Sequence, residues 1–248
     1  MSETIISARK MIPAGLAGET VTTRALDLDV RGGETVCLIG PTNTGKTNYL
    51  RTMAAIEPPL SGEVMLLERD MRQFARQVVL DIRQRVAFIG DSAPLLSTLS
   101  GLVNVMLPAL YHERGDRDAV MQQAEAVLDR LGWDGDSSQL PAYLSDHERR
   151  LLALARCLIM DPAAILIDEP FRMTDLACWK QLADVYRELT SVDGRALVIV
   201  TNNLHFVKRN ADRIVFFEPD AVKVFDSWDA LHREEDRYVE ELITATGE

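Results

Sequence analysis

A glycine-bounded turn of eight residues has the clearest chemical potential in this chain. It reads GPTNTGKT at residues 40–47 and lies between an apolar run, residues 35–39, and a segment of helical character. The two glycines allow the backbone to curl with its amide N–H groups pointing inward, and a helix that follows adds its positive end. This order predicts a P-loop for a nucleoside triphosphate. The predicted phosphate-binding residues are Gly40, Pro41, Thr42, Asn43, Thr44, Gly45, Lys46, Thr47 and Asn48.

Lys46 and Thr47 have separate predicted roles, and two acidic residues far along the chain complement them. Lys46 is expected to reach the β- and γ-phosphates in catalysis, and the Thr47 hydroxyl to hold Mg²⁺. Asp168 and Glu169 follow another apolar run, residues 163–167. At the carboxyl end of a strand, Asp168 is expected to hold the metal and Glu169 to polarise a water. Such a pair is also compatible with a solvated strand end, but the P-loop favours the metal site.

Composition excludes several classes of protein. The chain has 248 residues, a formal net charge of -11 and a pI near 4.9, so a nucleic-acid-binding surface is not expected. No stretch approaches the roughly 18 apolar residues of a membrane span, and the polar first residues are unlike a signal peptide. The three cysteines, Cys37, Cys157 and Cys178, lie in apolar segments without metal-binding spacing, which indicates buried thiols in a reducing compartment.

The hydrophobic pattern predicts an α/β protein. Residues 25–30 alternate apolar and acidic side chains like a half-exposed antiparallel strand, whereas continuous apolar runs predict buried parallel strands. Residues 61–67 are predicted as an edge strand, and Asp175 as the N-cap of a helix. Residues 91–161 have helical spacing. The predicted strands are residues 4–9, 25–30, 35–39, 61–67, 85–90, 163–167, 196–200, 213–217 and 221–225.

Several motifs together resemble the ATP-binding subunits of ABC transporters, over nearly the whole chain. Besides the P-loop, the matching features are LSDHE at residues 144–148, LALARCL at 152–158, DEP at 168–170, Asp175 at the D-loop position and ADRIV at 211–215. The resemblance implies a P-loop NTPase core of ABC ATPase type with an N-terminal antiparallel β-subdomain and an inserted α-helical subdomain. Residues 1–248 would form one domain. Its core and β-subdomain would comprise residues of about 1–90 and 162–226, its helical subdomain about 91–161, and its helical tail about 227–248.

The same resemblance implies partners and cofactors. ABC ATPases bind ATP with Mg²⁺ and dimerise head to tail, so Ser145 of one subunit would face the γ-phosphate held by the other. The partner would be a second copy or a paralogous ATPase. A permease of the inner membrane would dock near residues 91–106, which places the chain in the cytoplasm, peripheral on the inner face of the membrane.

A finer resemblance links the chain to the Mla/Mce-type lipid-transport ATPases. It rests on DEPF at residues 168–171, on residues 95–108 and on the tail, residues 236–242. It implies a lipid or hydrophobic substrate and a substrate-binding MCE-type protein as a further partner. Amino-acid or lipoprotein exporters share much of the same skeleton.

The chain departs from the family at the base and at the signature motif. The family stacks the adenine on an aromatic residue before the P-loop, but the first aromatic residue here is Tyr49. Contact with the adenine is therefore expected to be weaker or to come from an aliphatic residue such as Ile12 or Leu16. In the signature, Asp146 and His147 replace two glycines. Their side chains would fill space needed by phosphate oxygens, and Asp146 would add like charge.

Two further departures concern single side chains at the site. Asp91 stands where a glutamine normally senses Mg²⁺, and its carboxylate is expected to coordinate the cation instead. Asn202 replaces the switch histidine and is expected to donate a hydrogen bond to the γ-phosphate, without the charge of an imidazolium. His205, three residues on, is either a displaced switch or a surface residue of a helix.

These substitutions predict ATP binding with impaired or partner-dependent hydrolysis. Lys46, Thr47, Asp168 and Glu169 are all present, which argues against decay of the site. The leading hypothesis is the motor subunit of an ABC transporter. The alternative is a non-catalytic subunit that holds ATP as a structural or regulatory ligand of a membrane complex.

Overall fold

The structure, a computed structural model, describes residues 3–15, 24–172, 175–218, 220–234, 239–240 and 244. Within these residues the strands are β1 (Thr4–Pro13), β2 (Leu26–Arg31), β3 (Thr35–Ile39), β4 (Pro59–Leu66), β5 (Arg69–Asp70), β6 (Val86–Ile89), β7 (Ala164–Asp168), β8 (Ala196–Val200), β9 (Arg213–Phe217) and β10 (Val222–Phe225). The α-helices are α1 (Lys46–Met53), α2 (Arg76–Arg85), α3 (Gly101–Tyr111), α4 (Arg117–Arg130), α5 (Asp146–Leu158), α6 (Leu176–Ser191), α7 (Leu204–Asn210) and α8 (Trp228–His232). Short 3-10 turns cover Met71–Gln73 and Pro141–Tyr143.

A six-stranded sheet forms the centre of the molecule. Its order is β10-β9-β3-β8-β7-β6, and its strands are parallel except for the pair β9 and β10. Every residue of β3, β7 and β8 is buried, as their continuous apolar runs predict. Because parallel strands end at one edge of the sheet, the residues after β3, β7 and β8 are brought together there.

The second sheet is antiparallel, with the order β2-β1-β4-β5. Burial alternates along β2, which confirms the half-exposed strand predicted from its alternating sequence. The prediction of an edge strand at residues 61–67 was wrong, since β4 pairs with β1 on one side and with β5 on the other. β5 is only two residues long, too short to produce an alternating pattern of its own.

Two hydrophobic cores lie on opposite faces of the six-stranded sheet. Cys37 and Ile39 of β3 join the core formed with α3, α4, α5, α6 and α7. Val36 and Leu38, which point the other way, join the core formed with α1 and the antiparallel sheet. The sheet that carries the predicted site is therefore packed on both faces.

The helical character of residues 91–161 is observed as α3, α4 and α5, which pack on one another. The loop before α3 is fixed by the buried Asn104, whose amide bonds the main chain of Leu96, Leu99 and Ser100 at 2.7 to 3.1 Å. None of the described helices combines the length and the apolar character that a bilayer-spanning helix needs. Of the tail, Val239 is buried, whereas the predicted face residues Tyr238, Leu242 and Ile243 lie outside the described residues.

Candidate nucleotide site

The turn between β3 and α1 has the backbone that a phosphate loop needs. Gly40 has φ 132° and Gly45 has φ 85°, a range that side chains disfavour. A Cβ atom at Gly40 would overlap the carbonyl oxygen of Phe217 in β9. Gly45 is the N-cap of α1 and offers no side-chain cap, and the first turn of α1 contains no acidic residue. The Asn48 N–H already donates to Gly45 O at 2.9 Å, whereas the remaining N–H groups of this first turn can donate to an anion.

Lys46 is buried within the loop that it follows. Its Nζ donates hydrogen bonds to the carbonyl oxygens of Gly40 at 2.8 Å and Pro41 at 2.7 Å, and the residue is only 6% exposed. Burial lowers the pKa of Lys46 to about 8, although Glu169 and Asp168 nearby act in the opposite direction. A polyanion in the loop would remove much of the desolvation cost that this ammonium now bears.

Asp168, the last residue of β7, faces the start of α1. The Thr47 hydroxyl donates to its Oδ2 at 2.9 Å, whereas its Oδ1 is buried without a hydrogen-bond partner. Burial raises the pKa of Asp168, and the hydrogen bond from Thr47 partly offsets that increase. A hydroxyl and an unsatisfied carboxylate oxygen are a donor set that suits a hard divalent cation, so the residues fit the predicted Mg²⁺.

Glu169 follows Asp168 directly and lines the same cleft. Its φ is 45°, a left-handed conformation that costs a non-glycine residue on the order of 1–2 kcal/mol. Its N–H donates to Val200 O at 2.9 Å, and its carbonyl accepts from Arg150 of α5 at 3.2 Å. Burial raises the pKa of Glu169, and the neighbouring Asp168 raises it further. A carboxylate held in this way at the site is suited to act as a general base.

These side chains share one cleft of about 860 Å³. Asp91, predicted as a metal ligand, is at the cleft, but its Oδ2 accepts a 3.0 Å hydrogen bond from Arg172. The cleft is lined by Thr42, Asn43, Thr44, Gly45, Lys46, Thr47, Asn48, Arg51, Asp91, Asp168, Glu169, Arg172 and Val200. The structure therefore brings together most of the predicted phosphate and metal residues.

Four predicted residues do not line this cleft: Gly40, Pro41, Asn202 and Ser145. Gly40 and Pro41 instead accept the bonds from Lys46. The Oδ1 of Asn202 accepts a hydrogen bond from the Gly40 N–H at 3.0 Å, so the side chain of Asn202 holds the first residue of the phosphate loop. His205 is exposed on α7 with its ring beside Trp179, consistent with a surface helix residue.

Ser145 is the N-cap of α5, and this helix end is satisfied by its own side chains. Ser145 Oγ accepts from the Glu148 N–H at 3.2 Å, while the Ser145 N–H donates to Glu148 Oε2 at 2.7 Å, a complete capping box. Asp146 forms an ion pair with Arg149. The Nε2 of His147 lies 3.0 Å from Gln181 Oε1 of α6, so this ring is directed toward α6.

The base side of the site differs from the phosphate side. Tyr49, the first aromatic residue, is fully buried with its ring edge against Phe217 and its hydroxyl bonded to the main chain of Arg24, so it is not placed to stack on adenine. Ile12 is half-buried in β1, and Leu16 lies outside the described residues.

Sequence reasoning missed two cationic residues of the cleft, Arg51 and Arg172. Arg51 is four residues after Thr47 on α1, so helical spacing could have placed it on the same face. Arg172 had no comparable signal, because its location depends on how the chain turns after β7.

Residues 23–172, which include the phosphate loop and the Asp168–Glu169 pair, match the family model described as "ABC transporter". The chain belongs to the ABC transporter family. Within it, the chain is an ATP-binding subunit of the ABC ATPase type. The site geometry agrees with this family membership, since the phosphate loop and the two carboxylates meet at one cleft.

Relatives of this ABC protein include two named "Lipoprotein-releasing system ATP-binding protein LolD". The one from Myxococcus xanthus is 34% identical over 181 residues, which cover 73% of this chain and 80% of the relative. The one from a Ruegeria species is 33% identical over 213 residues, covering 85% and 92%.

Solved ABC structures share the fold. The ATP-binding cassette MJ0796, in a dimeric post-hydrolysis state bound to ADP and Pi, superposes with a TM-score of 0.82 at 22% identity, covering 90% of this chain and 98% of that one. The protein cbiO1 from Clostridium perfringens, part of the ABC transporter complex cbiONQ, gives a TM-score of 0.80 at 18% identity, covering 94% and 93%. The predicted α/β fold of ABC ATPase type is confirmed.

Proposed function

We propose that this ABC ATPase is the motor subunit of a transporter for a lipid or another hydrophobic substrate, and that its hydrolysis is slow or depends on its partners. The observation that carries the proposal is the buried, unsatisfied Oδ1 of Asp168, beside Thr47 and at the same cleft as Lys46. A divalent cation accompanying a triphosphate would satisfy this carboxylate oxygen.

The residues of the cleft divide the work of binding and hydrolysis. The N–H groups of the loop and the ammonium of Lys46 bind the phosphates. Thr47 and Asp168 would hold Mg²⁺, which neutralises phosphate charge when it is bound. Glu169 orients the attacking water and accepts its proton, for which its raised pKa is favourable. Asn202 Oδ1 accepts a hydrogen bond from the Gly40 N–H, and the Nδ2 of Asn202 is the group we propose for the γ-phosphate.

The subunit is proposed to work as one domain, in which residues of about 91–161 form the helical subdomain, and as a head-to-tail dimer. In such a dimer Ser145 of one subunit faces the nucleotide of the other. The capping box of Ser145 with Glu148 and the negative charge of Asp146 oppose the approach of phosphate, so closure is slow in the isolated protein. Arg149 offsets part of the Asp146 charge, which leaves closure achievable with a partner.

The proposed partners are a permease in the inner membrane, docked near residues 91–106, and a second copy or a paralogous ATPase. This location makes the chain peripheral on the cytoplasmic face. The named LolD relatives support a substrate that carries a lipid. The narrower Mla/Mce assignment, with an MCE-type partner, rests on the sequence motifs alone. Affinity purification from native membranes, followed by identification of the chains and lipids recovered, distinguishes a lipoprotein substrate from the lipid substrate of an Mla/Mce-type system.

Hydrolysis by the purified chain, alone and with its permease, tests the motor proposal. We expect slow single-turnover ATP hydrolysis by the isolated protein, faster turnover with the permease, and no hydrolysis in Glu169→Gln, which still binds ATP. Glu125→Gln, an exposed position on α4, is the matched control and should behave like the unmodified chain. Ordinary transporter rates from the isolated chain would contradict impairment. ATP binding without hydrolysis even with the permease would favour the non-catalytic alternative.

A further inference from the structure

An ion pair crosses the mouth of the nucleotide cleft. Asp91 follows β6 and Arg172 follows β7, and Arg172 Nη1 lies 3.0 Å from Asp91 Oδ2. Their side chains are 47% and 62% exposed, respectively. A pair so exposed contributes little to stability. Its interest lies in its position, because both residues line the cleft that contains Asp168 and Glu169.

Three carboxylates, those of Asp91, Asp168 and Glu169, line this cleft, and the repulsion among them favours a cation there. Asp91 acts to raise the pKa of both Asp168 and Glu169, which places all three within electrostatic reach. Asp168 is 6% exposed and its Oδ1 has no partner, so the cluster includes a buried oxygen that is unsatisfied. Lys46 is held by carbonyl oxygens of the phosphate loop, whereas Arg172 is the cation bonded to Asp91 in the part of the chain described.

The main chain of Arg172 is fixed while its guanidinium extends into the cleft. Its N–H donates to Glu169 O at 3.2 Å, and its carbonyl accepts from Arg150 Nη2 at 3.1 Å. Arg150 of α5 also donates to Glu169 O. The side chain is therefore able to leave Asp91 by rotation about its own bonds, without any change in the loop that contains Glu169.

We propose that Arg172 and the nucleotide-associated divalent cation compete for the carboxylate of Asp91. Arg172 neutralises Asp91 when the metal is absent, and Asp91 exchanges Arg172 for the metal when Mg-nucleotide is bound. Arg172 is thus a specificity residue that sets how much Mg²⁺ the site requires. The same exchange breaks the ion pair that joins the loop after β6, which leads to α3, to the loop after β7. This inference rests on the proposed function, since it presumes that the cleft takes Mg-ATP.

The test is a Mg²⁺ titration of the binding of a fluorescent, non-hydrolysable ATP analogue to the full-length chain. Removing the competitor in Arg172→Gln should lower the Mg²⁺ concentration for half-maximal binding by roughly two- to fivefold. Asp91→Asn should raise it, and the double variant should match Asp91→Asn, because the competition needs both partners. Arg187→Gln is the control, since Arg187 is 59% exposed and pairs with Asp184 far from this cleft.

Each variant is also titrated with the analogue in excess EDTA. An unchanged or higher Mg²⁺ midpoint in Arg172→Gln would overturn the inference, as would an equal shift in the Asp91→Asn background. Weaker binding of Arg172→Gln in EDTA with an unchanged midpoint would instead make Arg172 a phosphate ligand, which also overturns it. Failure of the unmodified chain to bind the analogue at any Mg²⁺ concentration would refute the proposed function, a result distinguishable from these outcomes.

Discussion

The N-termini of two helices in this protein are predicted to contact phosphate, and they are built in opposite ways. At α1 the N-cap is Gly45, which has no side-chain cap, and the first turn has no acidic residue. At α5 the N-cap is Ser145, the capping box with Glu148 is complete, and the first turn contains both Asp146 and Glu148. The N-terminus of α1 has N–H donors available, whereas at the N-terminus of α5 the capping box already occupies part of the N–H donors.

The same position, the N-terminus of a helix, can therefore be an anion site or an end whose N–H groups are bonded by its own side chains. A helix N-terminus attracts anions through its dipole and its free N–H groups. Glycines with positive φ keep the donors of α1 open, and the buried Lys46 adds charge. At α5, carboxylates take the same favourable positions that a phosphate would need. The account therefore predicts strong binding at α1 and conditional contact at α5.

The largest effect is expected when a side chain is added to the phosphate loop. Gly40→Ala would place a Cβ against the Phe217 carbonyl at φ 132°, so the free energy of unfolding should fall by about 3 kcal/mol or more, with loss of ATP binding. Gly194→Ala is the matched control, because Gly194 has φ 69° and, apart from its chain neighbours, no atom lies within 4 Å of the added carbon. It should cost only about 1–2 kcal/mol and leave ATP binding intact. Urea unfolding and calorimetry measure both; equal losses in the two variants would contradict the clash.

The second effect is a dependence on pH that arises from Lys46. Burial lowers its pKa from 10.5 to about 8, so between these values the unfolded chain binds more protons and stability should rise with pH. Nucleotide affinity should change in the opposite direction, because phosphate favours the charged ammonium. It should fall above about pH 8, by up to tenfold per pH unit. Calorimetry in two buffers of different ionisation enthalpy should show proton uptake on binding; constant affinity from pH 8 to 9.5 without uptake would count against it.

A smaller effect concerns the capping box of α5. Glu148→Ala should lower the free energy of unfolding by about 1 kcal/mol, because the reciprocal hydrogen bond to Ser145 is lost. Glu148→Gln, which retains a hydrogen-bonding side chain without the charge, should recover most of that stability. Glu125→Ala in the exposed face of α4 should change little. Denaturant unfolding compares the three variants, and equal losses for Glu148→Ala and Glu125→Ala would show that the box is not stabilising.

The smallest effect is expected from the charge of Asp146. In the Glu169→Gln background, Asp146→Asn should tighten ATP-dependent dimerisation by roughly two- to threefold, since Arg149 already offsets the carboxylate. The control is Asp184→Asn, which has the same spacing to Arg187 and a similar exposure. Analytical ultracentrifugation with ATP measures the dimer. A weaker dimer in Asp146→Asn would reverse the interpretation of the second helix end.

Much of the fold was predictable because its central strands are buried on both faces. Thr35–Ile39 and Ala196–Val200 are continuous apolar runs, and both lie where the sequence places them. Helix α2 was missed because Ile82 is its one fully buried residue, so its amphipathic signal is weak. The short β5 gave no signal either, which made β4 look like an edge strand.

The site was predictable where its chemistry lies in one continuous segment. The phosphate loop and the Asp168–Glu169 pair are local motifs, so their residue types and order suffice. The contacts of Asp91 with Arg172, Asn202 with Gly40 and His147 with Gln181 join segments that are distant in sequence. No local pattern encodes such pairs, because they depend on how the elements pack.

Calorimetric titration with ATP in magnesium buffer tests whether the turn between β3 and α1 binds the nucleotide. The titration compares the unmodified chain with Lys46→Ala and with Lys180→Ala, which alters an exposed lysine of α6. The account predicts one site per chain, retained in Lys180→Ala and weakened about a hundredfold or more in Lys46→Ala, where the buried ammonium is lost. Absence of binding heat for the unmodified chain, or equal affinity in Lys46→Ala, would contradict it.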